Sequence, residues 1–540
     1  MTFLIPLIFI FWFAVIFKNI LFWVHLWQIK EYRMDRMRVH FELPTSKSLL
    51  VNKKNIWILV LFLATFLPFG FVQVFIAVLV LLFYLVFTFR TAAQYREGAL
   101  KMPRFTVRAL LVTFLAVVLY FSLSIIIFTL INRGMLAWFL LGDILVPLFV
   151  SALVGSSYPM SVWLKNKIIK KATRKREKLS DLLVVGVSGS YGKTSVKEIL
   201  YSILKNNFNT VKTPQNINVD IGIAKVLLKN VTEKTSVFIA EMGAYKRGEI
   251  KKSASIVKPQ IGILTGINPQ HVSLFGSLQN IQKAKYELIE SLPEKGLAVF
   301  NGDNEDARAL FRQCKNPKRL YSTDPQKDPA NQKLLVDSIK NTPKGLEIKV
   351  HEENGEKATL RAPLLGKHNA SNILGAVTVA RELNVNYNDI KRALLKIKTP
   401  AHTLQLRKGI KDSIIIDDAY ASNEDGVLAA LNVLATLKGN KKICIMQPLI
   451  ELGDSAERVH KKIAGEIAKI CDYLIMTNRD YYPIMFKEAT DSGMDKEKVF
   501  CFVRAQDALR KAQEIIDGGD VILVENRVPD VVLNGVVLHK

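Results

Sequence analysis

The sequence predicts a multi-domain chain: an α-helical transmembrane bundle over residues 1–160, a basic juxtamembrane linker at 161–180, and two α/β units at 181–398 and 399–540. Three observations predict it. Long apolar runs crowd the first 160 residues, so the 49% hydrophobic content and mean hydropathy of +0.18, too apolar for an ordinary soluble chain, are unevenly spread. Beyond residue 181, short β-rich runs alternate with helical ones, the pattern of parallel sheets covered by helices. At 184–195 an apolar run, a glycine turn and a helix-like continuation (VVGVSGSYGKTS) make a phosphate cradle.

Five apolar runs, at 3–27, 56–71, 72–89, 107–131 and 136–155, each approach the length of about 17–25 residues that crosses a bilayer. The second and third are separated only by Pro68, Phe69 and Gly70, so they read either as a tight helical hairpin or as one long kinked helix. The first run has no basic leader and no small-residue cleavage site before Lys18, so it reads as retained rather than as a cleaved signal peptide.

The net charge of +26 is informative about topology rather than nucleic-acid binding. Lys30, Arg33, Arg36, Arg38, Lys47, Lys53 and Lys54 fill the first connector, and Arg90, Arg96, Lys101, Arg104 and Arg108 the third, whereas the second and fourth hold only Arg133. The positive-inside rule then puts connectors one and three and everything after Gly155 in the cytoplasm, with the N-terminus outside. Eight basic residues from Lys165 to Lys178 follow the last run and are expected along the membrane surface, as a lipid-attracting segment or simply as a topology signal. Asp143, the one acid at membrane depth, reads as a functional carboxylate or as a group that reaches water near the outer end. Cys314, Cys444, Cys471 and Cys501 have no Cys-x-x-Cys spacing and read as reduced and structural.

In the soluble part, strands are expected at 182–187, 237–241, 261–265 and 297–301, then at 413–417, 442–446, 473–477 and 521–525, with a linker near 398–400 between the units and a helix, or a loop into one, over 361–381. Ligands bind such sheets at the C-terminal strand ends. The cradle binds ATP or GTP for a definite reason. Glycines let backbone N–H groups converge on phosphate oxygens, the helix N-terminus adds positive potential, Lys193 reaches the β/γ-phosphates, and the Thr194 hydroxyl suits Mg²⁺. The competing reading is a plain glycine-rich turn. Position 187 is valine where the general motif wants glycine, with Gly186 one place early, so this is not the generic nucleotide-hydrolase loop.

Over its whole soluble length the chain resembles the ATP-dependent Mur ligases, and among them the D-alanyl-D-alanine-adding type. The motifs that carry the resemblance occur in the family's order: GSYGKTS (189–195), NINVDIG (216–222), EMGAYKRGEI (241–250), GINPQH (266–271), FGS (275–277), KAK (283–285), NGDN (301–304), GKHNASN (366–372) and DDAY (417–420). The resemblance implies an amide ligase that activates a carboxylate as an acyl phosphate, using ATP and Mg²⁺. By that resemblance Lys193, His271 and Lys285 are catalytic; Gly189, Ser190, Gly192, Lys193, Thr194, Ser195, Asn369, Asn372 and Asp418 bind the nucleotide; and Thr194, Glu241, His271 and Lys285 hold metal, Lys285 as a carbamate. The competing reading of Lys285 is a solvated helix charge, against which its setting beside Ala284 and after Gly276 and Ser277 favours the carbamate, and 368–372 taken alone reads as a helix cap.

Several positions depart from the family pattern. Gly266 and Asn268 stand where asparagine and glycine are often found in the reverse order, Thr403 replaces an arginine that reaches the ATP phosphates, with Arg407 or Lys408 as possible substitutes, and Ala421 and Glu424 replace asparagine and proline. Apolar spans stand where the uridine-diphosphate-sugar-binding domain is expected. The leading expectation is a plasma-membrane, multi-pass ligase with cytoplasmic catalytic domains, joining an amino acid or dipeptide to a cell-wall precursor, the acceptor being a lipid-linked muropeptide. The alternatives are a catalytically weak nucleotide-binding membrane scaffold, which Thr403 favours, and a poly-amino-acid or folate-type ligase.

Overall fold

The computed structural model describes residues 3–538 except 68–69, 97–99, 132–133, 215–216, 343–344, 398–401 and 421–422, and leaves undescribed the side chains at 44, 45 and 131. The chain forms two compact units, Met1–Lys165 and Asn166–Lys540.

In the first unit, four of the described helices are long and apolar enough to cross a membrane, rather than five. They are Leu4–Ile29, Gly70–Arg96, Val107–Ile131 and Met135–Ser156, the last running on almost without a break into Tyr158–Glu177. The span expected at 56–71 is instead the helix Lys53–Ala64, whose 12 residues rise only about 18 Å against a hydrocarbon core of about 30 Å. Most of the Pro68 to Gly70 break lies outside the described residues.

Hydrogen bonds fix the directions of three helices. Trp12 Nε1 donates to the Phe139 carbonyl (2.7 Å), Asn19 to Asp143 (2.7 Å) and Trp27 to Ser151 (3.0 Å), so Leu4–Ile29 and Met135–Ser156 run parallel. Val107–Ile131 runs against both: Tyr120 donates to the Gly142 carbonyl and Arg108 to that of Val154. Asp143 does not reach water. Its side chain is 3% exposed and pairs with Lys54 Nζ at 2.7 Å while accepting from Asn19.

The second unit contains two parallel-rich sheets. The first has the order β2-β3-β1-β4-β5-β6 (Thr210–Lys212, Val237–Glu241, Leu183–Ser188, Ile261–Leu264, Leu297–Asn301, Lys318–Tyr321), all parallel. Alternate β1 residues enter different cores, Val185 and Val187 on one face and Val184 on the other, so helices cover both faces. The second sheet, β10-β11-β15-β12-β13-β14 (Gln405–Lys408, Ile414–Asp418, Val521–Glu525, Lys442–Met446, Tyr473–Met476, Val499–Cys501), is parallel except for its β10 edge.

Between them an antiparallel sheet, β7-β8-β9 (Leu335–Thr342, Gly345–His351, Lys357–Ala362), turns Ile348, Val350 and Leu360 onto the core shared with the helix Lys367–Glu382. The 361–381 expectation therefore divides into a strand end and that helix. All four cysteines are free. Two residues of the basic stretch are anchored to this unit rather than facing a membrane. Arg176 is buried and donates to the Val257 carbonyl (2.7 Å), and Lys175 donates to the Leu228 carbonyl (2.9 Å).

Candidate active site

β1 ends in the loop that the sequence singles out. Gly186 lies within the strand, where a Cβ would strike Leu288, so its early position belongs to packing and the turn begins at Gly189. Gly189 (φ +147°) and Gly192 (φ +77°) take backbone conformations that L side chains rarely adopt, and a Cβ on Gly192 would stand 2.7 Å from Asn372 Oδ1. The helix Lys193–Leu204 starts immediately after, aiming its free N–H groups at the loop. Lys193 folds back over it, donating to the carbonyls of Gly189 (2.8 Å) and Ser190 (2.9 Å), and burial lowers its pKa. Ser190 exchanges hydrogen bonds with the backbone of Asn268, and Ser195 lines the adjacent cleft.

Glu241, at the end of β3, is 2% exposed and surrounded by donors. Its Oε2 accepts from the Thr194 hydroxyl and from Lys197 Nζ, both at 3.0 Å, and its Oε1 accepts from Asn218 at 3.2 Å. A hydroxyl and a carboxylate side by side at a phosphate loop are the hard oxygen donors that Mg²⁺ takes, so these residues fit that ion. The Asn216 end of the NINVDIG motif lies outside the described residues.

Deeper in the same site lie His271 and Lys285. His271 adopts a left-handed backbone conformation (φ +63°), packs edge-on against Tyr245, and bonds through Nδ1 to Glu451 of the C-terminal domain. Burial lowers its pKa, with the Glu451 bond acting the other way. Lys285 is 4% exposed, so it is no solvated helix charge. Its ammonium lies 3.5 Å from the Ala244 carbonyl and 5.6 Å from the Phe275 ring centre, while the carboxylate of Glu287 is occupied by the N–H groups of Gly248 and Lys251. Burial, reinforced by the charge of Lys193, brings the Lys285 pKa down from 10.5 to about 7. A neutral amine is the form that adds carbon dioxide, so this setting fits a carbamate where an ammonium would repel a cation. Among the described residues no three His, Cys, Asp or Glu side chains gather as a ready-made metal site.

Beside the loop, a cleft of about 1260 Å³ opens between the two α/β domains, lined among others by Tyr191, Gly192, Asn369, Asn372, Thr403 and Asp418. Asn372 donates to Asn369, which donates to the Leu365 carbonyl. Burial, with Asp417 alongside, raises the Asp418 pKa to about 6, opposed by the N–H it accepts from Leu404.

The departures have structural accounts. Gly266 lies under the Tyr191 ring, where a Cβ would approach to 2.4 Å, and Asn268 bridges the domains by donating to Asn423 (2.9 Å) and Asp425 (3.0 Å). Arg407 is not a free substitute for the missing arginine, because it is tied to Asp417 at 2.9 Å together with His402. Glu424 is held by Lys462 and Arg458, and Ala421 lies outside the described residues. Sequence reading misses Lys197 and Glu451. Spacing could find the first, one turn after Lys193 on the same helix face, whereas the second comes from another domain and leaves no local signal.

A phosphate loop at the end of β1, with a carboxylate on β3 and a second α/β domain across a cleft, defines a two-domain nucleotide-binding protein of the phosphate-loop α/β class. Residues 187–380 match the Mur ligase middle domain and residues 404–525 the Mur ligase glutamate ligase domain. The chain belongs to the Mur ligase family. It is 32% identical over 286 residues to the UDP-N-acetylmuramoyl-tripeptide--D-alanyl-D-alanine ligase of Escherichia coli K12, covering 53% of this chain and 62% of that one. The ligase of the same name from Bacillus subtilis 168 is 27% identical over 341 residues, 63% of this chain and 72% of the relative. The chain spans about three fifths of the length of the first curated relatives it matches. In fold it is similar to MurF from Acinetobacter baumannii (TM-score 0.59, 24% identity, 67% of this chain and 78% of the other). It is likewise similar to the MurF ligase from Thermotoga maritima in complex with ADP (TM-score 0.59, 22% identity, 69% and 83%).

Proposed function

We propose that the protein is a membrane-anchored, ATP-dependent amide ligase of peptidoglycan synthesis that activates an acceptor carboxylate as an acyl phosphate. One observation carries this reading: the phosphate-loop lysine and the buried His271 and Lys285 share one site, close enough for the charge of Lys193 to act on both. The group that grips the γ-phosphate and the groups suited to an acceptor carboxylate therefore adjoin, as phosphoryl transfer between the two requires.

In this reading the loop N–H groups of 189–194 and the helix N-terminus hold the ATP phosphates, and Lys193 leaves its loop carbonyls to meet the transferring γ-phosphoryl group. Thr194 and Glu241 would hold one Mg²⁺, and His271 with a Lys285 carbamate a second. Bound there, Mg²⁺ supplies positive charge against the phosphates and the acceptor carboxylate. Asn369, Asn372 and Asp418 line the nucleotide's cleft. The carboxylate oxygen attacks the γ-phosphorus and ADP leaves with the bond's electron pair; the amine of an amino acid or dipeptide then attacks the acyl carbon and expels phosphate. Asn268 and Glu451, reaching between the domains, keep the site closed and water away from the acyl phosphate.

The relatives are named for a uridine-diphosphate-linked tripeptide and D-alanyl-D-alanine. We take the amine donor from the same class and the acceptor as a lipid-linked muropeptide, since four helices of crossing length precede the catalytic domains and deliver a membrane-borne substrate at high effective concentration. The catalytic domains face the cytoplasm, where ATP is found. A second reading, a nucleotide-binding scaffold with weak catalysis, is favoured by Thr403 at the cleft with Arg407 tied away. The test is an acceptor labelled with ¹⁸O in its carboxylate. Acyl phosphate chemistry moves one ¹⁸O into the released phosphate, whereas unlabelled phosphate in the presence of amide product excludes that route.

A further inference from the structure

Lys197 lies one turn beyond Lys193, with its side chain fully buried against β3. Its Nζ is 3.0 Å from Glu241 Oε2, the oxygen that also accepts from Thr194, and 3.6 Å from Glu198 Oε1. Burying an ammonium this deeply is costly unless its charge is paired, and the pairing here is with the carboxylate that the proposed function gives to Mg²⁺. The mechanism above does not use this lysine. Its presence has a cost for the metal: it occupies an oxygen that the metal needs and cancels the charge that would attract it.

We infer that Lys197 is a positioning residue that makes divalent-cation binding at Glu241 conditional on nucleotide. Without nucleotide, Glu241 and Lys197 form a neutral pair, and the metal gains nothing by displacing an ammonium already in place. A polyphosphate on the loop adds several negative charges beside the pair, which restores the attraction. Lys197 then needs to move only slightly, because Glu198 offers it a second carboxylate on the same helix. Metal and nucleotide enter together, and the site does not fill with a stray cation that would block productive loading. The inference rests on Glu241 being the metal carboxylate, and its test separates the two ideas.

The probe is Mn²⁺, followed by the loss of its free electron paramagnetic resonance signal, titrated into full-length protein in detergent with and without ADP. The unmodified protein is expected to bind Mn²⁺ tightly only with ADP. Lys197→Met is expected to bind it without nucleotide at least about tenfold more tightly than the unmodified protein, the scale of losing one close like charge. Lys197→Arg should behave as the unmodified protein, and the double variant Lys197→Met with Glu241→Gln should lose the nucleotide-free site. Equal Mn²⁺ affinity with and without ADP in the unmodified protein overturns the inference, and this result needs no variant to fold. Unchanged nucleotide-free binding in both Lys197→Met and Lys197→Gln overturns it as well. If Glu241→Gln leaves ADP-dependent Mn²⁺ binding intact, the metal assignment itself falls and the inference with it.

Discussion

Lys285 offers a prediction whose size follows from its surroundings. Its pKa is about 7 in the folded protein against an ordinary value of 10.5, so between those values the unfolded chain carries a proton that the folded chain lacks. Stability therefore rises with pH in that window and is flat, for this group, below about pH 7. The proton difference grows from about a half at pH 7 to nearly one at pH 9, which at about 1.4 kcal/mol per pH unit gives about 2 kcal/mol over that window. At roughly 2–4 °C per kcal/mol for a domain of 150–250 residues, the melting temperature of the α/β domain that carries Lys285 should gain about 4–8 °C from this source. Lys285→Met removes the titrating group and should lose that rise while being the more stable protein at pH 6. The assay is thermal unfolding of both full-length proteins in detergent across pH 6–9, in buffer depleted of carbon dioxide. Parallel curves for the two proteins would refute the reasoning, because they would mean that Lys285 keeps an ordinary pKa.

Other outcomes follow from the same geometry. Lys193→Ala should lower acceptor-dependent ATP turnover on the order of 10²-fold or more, with a steady-state phosphate assay as the check. Lys285→Ala should lose activity and regain part of it with added small carboxylates, whereas Lys285→Arg, a fixed cation, should stay inactive under the same conditions. Asp143→Asn leaves Lys54 without its buried counter-ion and should destabilise the membrane unit by about 3 kcal/mol, read as a lower melting temperature in detergent, and Lys54→Met with Asp143→Asn together should recover most of the loss. A reporter after Lys540 should report cytoplasm and one between Ile131 and Leu136 the outside, and the opposite signal at either position would reverse the topology; because the first and last long helices run parallel, the segment that holds Lys53–Ala64 has to bring the chain across once more between the first two long helices.

Buried strands are legible in the sequence because apolar runs bounded by turn residues leave little choice, and 237–241, 297–301, 442–446 and 521–525 match the observed strands residue for residue. The antiparallel sheet of β7 to β9 is not, since its one covered face alternates with lysine and glutamate that read as loop. Hydropathy locates an apolar run at 56–71 but does not tell a spanning helix from a 12-residue one. The order of the motifs is enough to group Lys193, Thr194, Glu241, His271 and Lys285, because the loop, strand-end and helix segments that carry them are each recognisable over a few consecutive residues. Glu451 escapes such reading because what distinguishes it is a partner remote in sequence, His271, whereas Lys197 is marked locally by its place one turn after Lys193 and only its pairing with Glu241 needs the structure.

The central claim is ligation driven by ATP at a membrane, and the direct measurement is product formed per ADP released. Purified full-length protein in proteoliposomes receives ATP, Mg²⁺, D-alanyl-D-alanine and one muropeptide, offered either lipid-linked or linked to uridine diphosphate. The account predicts one amide product per ADP, faster with the lipid-linked acceptor and abolished by Lys193→Ala. Nucleotide binding without ADP or product from either acceptor would contradict it and leave the scaffold reading, while faster ligation to the soluble acceptor would contradict the membrane's part in substrate delivery.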